Sequence, residues 1–131
     1  MRGNSVTVIE DAIQRADLSG YDTYSGDCVL IATAIREVFG GELVASFTTE
    51  VDVEDKRPAH CAVRIDGTLY DGNGTTSEVE LRDRAYHGGR GEFDEIVVVE
   101  NAGFLAPDVA NEAVVDLTER FEQARNEAES K

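Results

Sequence analysis

The chain has 131 residues and a formal net charge of −15 at neutral pH. Its length suits a single domain, predicted over residues 1–131, with one hydrophobic core. The negative charge argues against nucleic acid and anionic membrane as partners. No apolar run approaches membrane-spanning length and the first residues lack the apolar core of a signal peptide, so a cytoplasmic location is expected.

Basic residues are few and almost all are arginine, with lysine only at Lys56 and Lys131. Such an acid-rich, lysine-poor composition is typical of proteins from salt-loving microbes and their viruses, because high salt screens the repulsion between like charges. An acidic protein from a GC-rich genome is the alternative, since GC-rich codons also favour arginine. The halophilic interpretation predicts a loss of stability at low salt.

The first predicted helix spans about residues 7–16. Thr7 and Glu10 have the spacing of a capping box at its start. Its apolar face comprises Val8, Ile9, Ala12, Ile13 and Ala16. This periodicity of three and four predicts an amphipathic helix.

The second predicted helix spans about residues 27–39, with Ser25 or Asp27 as its cap and Gly40-Gly41 at its end. Its first two turns read "CVLIATAI" and are apolar on nearly all sides. A helix of this kind is typically buried in the middle of a fold.

The period then changes to that of strands. The segments "ELVASFTTEV", "RPAHCAVRI" and "TLYDGN" each read as a strand. Asp66-Gly67 lies between the second and third, and this dipeptide strongly indicates a two-residue hairpin turn.

Three further elements complete the chain. "SEVELRDRAY" indicates a short helix, and "FDEIVVVEN" a strand whose apolar run predicts a central position in the sheet. The last helix is expected over about residues 107–128, with Pro107 in its first turn. Its apolar stripe comprises Ala110, Val114, Leu117, Phe121, Ala124 and Ala128. The stripe is expected to pack on the sheet, and a homodimer seam is the alternative use.

The order of elements predicts an α+β fold, with a core over about residues 7–100. Two N-terminal helices, one of them buried and bearing a cysteine, would pack on a mainly antiparallel sheet. The C-terminal helix would complete the domain.

Cys28 lies in the first turn of the buried helix. A thiol attacks only as its thiolate, and the N–H groups and dipole of a helix N-terminus stabilise negative charge there. The same N–H groups could stabilise an oxyanion during acyl transfer. The adjacent Asp27 opposes this effect unless its carboxylate turns away to cap the helix.

The hairpin register selects between the two histidines as a base for Cys28, and it favours His60 over His87. A two-residue turn pairs residue 65 with 68, which places His60, Asp71 and Asn73 on one face of the sheet. His60 and Asp71 are then diagonal neighbours within reach of one another. Either Asp71 or Asn73 could orient the imidazole.

The same register bears on metal binding. Cys61 points away from His60, so it is expected to pack with Val63 and Ile65 rather than to share ligands with His60. No spacing typical of zinc ligands is present. No metal and no cofactor are therefore expected.

A cysteine that opens a buried helix, a histidine that opens a strand, and an acid on the next strand resemble the order found in the papain-like superfamily, which includes the transglutaminase-like proteins. "GDCVLIATAI" and "HCAVRIDGTLYDGNG" look most like small microbial and phage-type members. The resemblance covers roughly residues 22–74. It implies a papain-like core, with Cys28 as nucleophile, His60 as general base and acid, and Asp71 as orienter.

This resemblance implies thiol-dependent acyl transfer on a protein or peptide substrate, by hydrolysis of a peptide or isopeptide, deamidation or transamidation. One feature departs from the papain pattern: no glutamine precedes Cys28 to complete the oxyanion hole. Tyr24 is the candidate donor in its place.

Two readings of Cys28 therefore stand. A lone cysteine in an apolar helix is most often part of the core. The alternative hypothesis is accordingly a non-catalytic binding or accessory protein, viral or carried by a mobile element, on the same scaffold.

Overall fold

A computed structural model describes residues 6–21, 27–85, 96–107 and 111–130. The fold is α+β, with helices packed on a five-stranded antiparallel sheet. The helices are α1 (Val6–Arg15), α2 (Cys28–Phe39), α3 (Glu50–Glu54), α4 (Glu78–Ala85) and α5 (Glu112–Glu129), with a short 3₁₀ turn at Gly103–Leu105. The strands are β1 (Glu42–Phe47), β2 (His60–Ile65), β3 (Thr68–Asp71), β4 (Gly74–Thr76) and β5 (Val97–Val99). Among the helices within these ranges, none is long and apolar enough to cross a membrane.

The strands follow the order β4-β3-β2-β1-β5, and each neighbouring pair is antiparallel. The hairpin predicted at Asp66-Gly67 is confirmed, with φ of 50° and 85° at these two residues and Ile65 paired with Thr68. The central position predicted for the last strand is wrong for the described residues, among whose strands β5 lies at the edge of the sheet beside β1. An apolar run reflects cover on the faces of a strand and does not report whether both its edges are paired.

The two faces of the sheet differ in composition and in what covers them. One, termed here the α2 face, joins the core formed with α1, α2 and α5. It presents Leu43, Ala45, Phe47, Cys61, Val63, Ile65 and Tyr70. The other, termed the α4 face, has a smaller apolar cluster of Val44, Ala62, Leu69 and Val98 with Leu81 of α4. The α4 face also carries the polar residues Ser46, His60 and Asp71, as alternation along the strands requires.

Both N-terminal helices form where the sequence predicts them, but their N-terminal caps differ from the predicted ones. Helix α1 already begins at Val6, so Thr7 lies inside its first turn and the predicted capping box is wrong. Asp27 occupies the N-cap position of α2, but its side chain makes no capping hydrogen bond. Ser25, the other candidate cap, lies outside the described residues.

Two short elements were not predicted. The end of the first predicted strand, "TTEV", leaves the sheet after Phe47 and leads into α3. Thr49 caps that helix by accepting a hydrogen bond from the backbone N–H of Asp52 at 3.2 Å. Strand β4 follows a tight turn after β3 and pairs back with it, Asp71 facing Gly74. Cap chemistry thus overrode the strand-like pattern after Phe47, and turn chemistry ended the predicted strand "TLYDGN" after Asp71.

The last helix begins at Glu112, after the predicted start at Pro107. Asn111 caps it, its side-chain oxygen accepting a hydrogen bond from the Ala113 N–H at 2.9 Å. The predicted stripe residues within the helix are buried, and their main partners are α1 and α2 rather than the sheet. Ala110 lies outside the described residues. The stripe within the described helix therefore packs against other helices of the same chain.

Candidate functional site

His60 and Asp71 form a buried hydrogen-bonded pair on the α4 face. His60 Nε2 lies 2.9 Å from Asp71 Oδ2, and the two residues have 0% and 2% of their surface exposed. The hairpin explains this contact: with Ile65 facing Thr68 and Val63 facing Tyr70, Asp71 falls diagonally opposite His60. The predicted juxtaposition of this acid and this histidine is present.

The turn after β3 holds the second oxygen of Asp71. Its Oδ1 accepts a hydrogen bond from the backbone N–H of Asn73 at 2.9 Å. The Asn73 side chain is exposed, and the residue belongs to the tight turn rather than to the strand. Asn73 therefore holds the carboxylate through its backbone N–H, and the orienting role considered for its side chain stays a prediction.

Cys28 lies on the other side of the sheet. It belongs to the core cluster on the α2 face together with Cys61, whereas the side chain of His60 points to the α4 face. Burial first, and then the charge of the Cys28 thiol, raise the pKa of the Cys61 thiol. The prediction that Cys61 packs within the core, away from His60, is confirmed.

The three predicted catalytic residues are consequently not assembled. His60 Nδ1 has no hydrogen-bond partner, so no hydrogen bond joins it to the Cys28 sulfur. The physical reason is the apolar surface of α2, which packs against the more apolar face of the sheet and carries Cys28 with it. The hairpin presents His60 to the opposite, more polar face.

Ser46 is a residue of this region that the sequence did not reveal. It lies directly opposite His60 in the β1–β2 ladder, and its hydroxyl is buried without a hydrogen-bond partner. Predicting its position requires the register between β1 and β2. No tight turn sets that register, because α3 and its flanking loops separate the two strands. Nearby on the same connection, the Thr48 hydroxyl donates a hydrogen bond to the buried Asp52 carboxylate.

The remaining residues to place are Tyr24, His87 and Tyr21. Tyr24 and His87 lie outside the described residues. Tyr21 packs against α5, where its hydroxyl donates to Asp116 Oδ2 at 2.9 Å and the Arg120 guanidinium lies 5.3 Å from the centre of its ring. The bond to Asp116 raises the pKa of the Tyr21 phenol.

Within the described part of the chain, no three His, Cys, Asp or Glu residues are grouped so that they could hold a metal ion. Comparisons with protein-family models, with curated proteins and with solved structures found no match to this chain.

Proposed function

We propose that this chain is a non-catalytic binding protein on a papain-like scaffold, and that its partner presents a basic protein surface. The observation that carries the proposal is the position of the sheet between Cys28 and the His60–Asp71 pair. A nucleophile and its base must lie within hydrogen-bond reach, or close to it. Cys28 and His60 are also closed to a substrate, with 5% and 0% of their surface exposed.

The surface charge supports a basic partner. Over residues 6–21, 27–81, 96–107 and 111–130, the exposed basic side chains are Arg15, Lys56 and Arg57, and they are far outnumbered by exposed carboxylates. Helix α5 shows this difference between basic and acidic side chains most clearly. Its two arginines turn toward backbone carbonyls, Arg120 to that of Asp17 and Arg125 to that of Val38. Its exposed acids are Glu112, Glu119, Glu122, Glu127 and Glu129.

The second candidate function is the thiol-dependent acyl transfer implied by the papain-like resemblance. The preassembled His60–Asp71 pair favours it, because Asp71 occupies Nε2 and leaves Nδ1 without a donor. In this function Cys28 is the nucleophile, His60 the general base and Tyr24 the oxyanion donor, in hydrolysis, deamidation or transamidation. It requires Cys28 to reach the α4 face.

Thiol labelling separates the two functions. We expect iodoacetamide to modify Cys28 of the folded protein slowly below pH 7, and the His60→Ala variant to leave the ratio of Cys28 to Cys61 labelling unchanged. The reason is that both thiols are buried and that no hydrogen bond joins His60 Nδ1 to Cys28. Site-resolved mass spectrometry measures the rate at each cysteine.

Cys61 serves as the internal control in this experiment, since its burial makes its labelling report opening of the whole core. If His60→Ala destabilises the fold, both rates rise together and their ratio holds. Fast labelling of Cys28 alone, slowed by His60→Ala, would overturn the binding-protein proposal in favour of the enzyme.

The basic partner is tested by reversing charge on α5. The variant Glu119→Lys/Glu122→Lys should weaken binding to a poly-arginine peptide several-fold, because the exposed α5 acids would face such a ligand. Glu50→Lys/Glu54→Lys on α3 is the matched control, with the same change in net charge at two exposed positions. Isothermal titration calorimetry at several salt concentrations compares them. Equal weakening in both variants would show diffuse attraction and no preference for the α5 face.

A further inference from the structure

Two buried polar atoms without hydrogen-bond partners belong to directly paired residues on the α4 face. They are Ser46 Oγ and His60 Nδ1, the two such side-chain atoms found within the described ranges. Ser46 and His60 are directly paired across β1 and β2, so their side chains leave the same face from backbones in contact. A buried polar atom without a partner is unfavourable, so two such atoms on directly paired residues call for a common explanation.

The chemistry of these two atoms is complementary. The Asp71 carboxylate can only accept a hydrogen bond, so a neutral His60 ring must carry its proton on Nε2, which lies 2.9 Å from Asp71 Oδ2. Nδ1 is then a lone-pair acceptor in need of a donor. The Ser46 hydroxyl is a rotatable donor in need of an acceptor.

The structure shows no hydrogen bond between these two atoms, and we propose that rotation of the Ser46 side chain lets its hydroxyl donate to His60 Nδ1, so that Ser46, His60 and Asp71 form one buried relay across strands β1, β2 and β3. Ser46 is a positioning residue in this relay: it fixes His60 as the Nε2–H tautomer and occupies the nitrogen that a thiol would need. The proposal rests on the proposed function, because it assigns His60 to a structural relay rather than to Cys28.

The relay also extends into the loops on either side of the sheet. At one end, Asp71 accepts the backbone N–H of Asn73 and so ties the turn before β4. At the other end, the Ser46 carbonyl accepts the backbone N–H of Ala59 at 2.7 Å, immediately before His60. The three side chains thereby pin the register of three strands at the end of the sheet where the α3 connection returns.

The test is the protonation state of the His60 ring in the wild-type protein, measured by NMR after ¹⁵N labelling of histidine. We expect an unprotonated Nδ1 and a protonated Nε2, with the Nδ1 resonance shifted upfield of a free acceptor by its hydrogen bond. His87 provides a second imidazole as reference, and His60→Gln assigns the signals. A proton on Nδ1 of the neutral ring would overturn the proposal, and this measurement requires no other variant to fold.

Variants then identify the donor. Ser46→Ala should move the Nδ1 resonance toward that of a free acceptor and raise the unfolding constant by roughly tenfold, whereas Ser46→Thr should retain the wild-type shift. Thr33→Val is the control: it removes a fully buried hydroxyl that donates to the Val29 carbonyl at 2.7 Å, on α2 and away from His60. An Nδ1 shift unchanged in Ser46→Ala would exclude Ser46 as the donor. The thiol-labelling result is independent of these shifts, so failure of the relay and failure of the binding-protein proposal are distinguishable.

Discussion

Replacing Gly41 with alanine should destabilise the protein by about 2–5 kcal/mol. Gly41 lies between α2 and β1 with φ of 97°, a conformation that residues with a Cβ rarely adopt. An added Cβ would meet the Arg64 carbonyl oxygen, and would lie 2.8 Å from Ile65 Cγ1 and 3.1 Å from Val63 Cγ1. The carbonyl cannot move freely, because Arg64 is paired with Glu42 in the β1–β2 ladder. Urea denaturation of both proteins gives the difference in free energy of unfolding.

The control for this prediction is Gly67→Ala, in the hairpin turn. Gly67 also has a positive φ, 85°, but its Cβ would have nothing within 4 Å. We therefore expect it to cost only about 1–2 kcal/mol, the strain of the backbone conformation alone. Equal losses of stability in the two variants would show that the close approach of Gly41 to β2 is not the reason that this position requires glycine.

This approach at Gly41 also explains which face of the sheet receives Cys28. Because Gly41 contacts β2 near its C-terminal end, α2 must run back over β2 toward its N-terminal end, where Cys61 and His60 lie. Cys28 therefore lies in the same core cluster as Cys61, on the α2 face. The papain-like resemblance implied that Cys28 and His60 act together, but the sequence did not predict on which side of the sheet each would lie.

The information needed for that last step is partly present in the sequence. Along β2, residues 61, 63 and 65 are Cys, Val and Ile, while residues 60, 62 and 64 are His, Ala and Arg. An all-round apolar helix packs on the more apolar set, which is the set opposite His60. The papain-like order of residues favoured the opposite placement, with Cys28 beside His60. That order describes the sequence of elements, however, and does not determine the face of the sheet on which they meet.

Other differences have local causes. The hairpin at Asp66-Gly67 could be predicted because the turn type and the register are set by adjacent residues. The pairing of β1 with β2 could not be predicted in this way, since residues 48–59 lie between the two strands and include α3. For the same reason the sequence revealed the His60–Asp71 contact within one hairpin and missed Ser46, which reaches His60 from a strand outside that hairpin.

The second large effect is expected at the His60–Asp71 pair. His60→Leu should destabilise the protein by about 3–5 kcal/mol, because it leaves the Asp71 carboxylate buried without the ring N–H. Asp71→Leu should cost a similar amount, since it removes the acceptor of both His60 Nε2–H and the Asn73 N–H. The double variant should be less destabilised than the sum of the two, by about 1–3 kcal/mol.

The matched reference is the exposed pair Arg64–Glu100, which bridges β2 and the end of β5. Its side chains are 28% and 48% exposed, so water competes for the contact, and the cycle of Arg64→Ala with Glu100→Ala should give a coupling of only about 0–1 kcal/mol. Urea denaturation of all variants measures both cycles. A His60–Asp71 coupling no larger than this reference would mean that the two groups do not act as a unit. That result would remove the preassembled base on which the acyl-transfer function depends, and leave the binding-protein function as the one the fold supports.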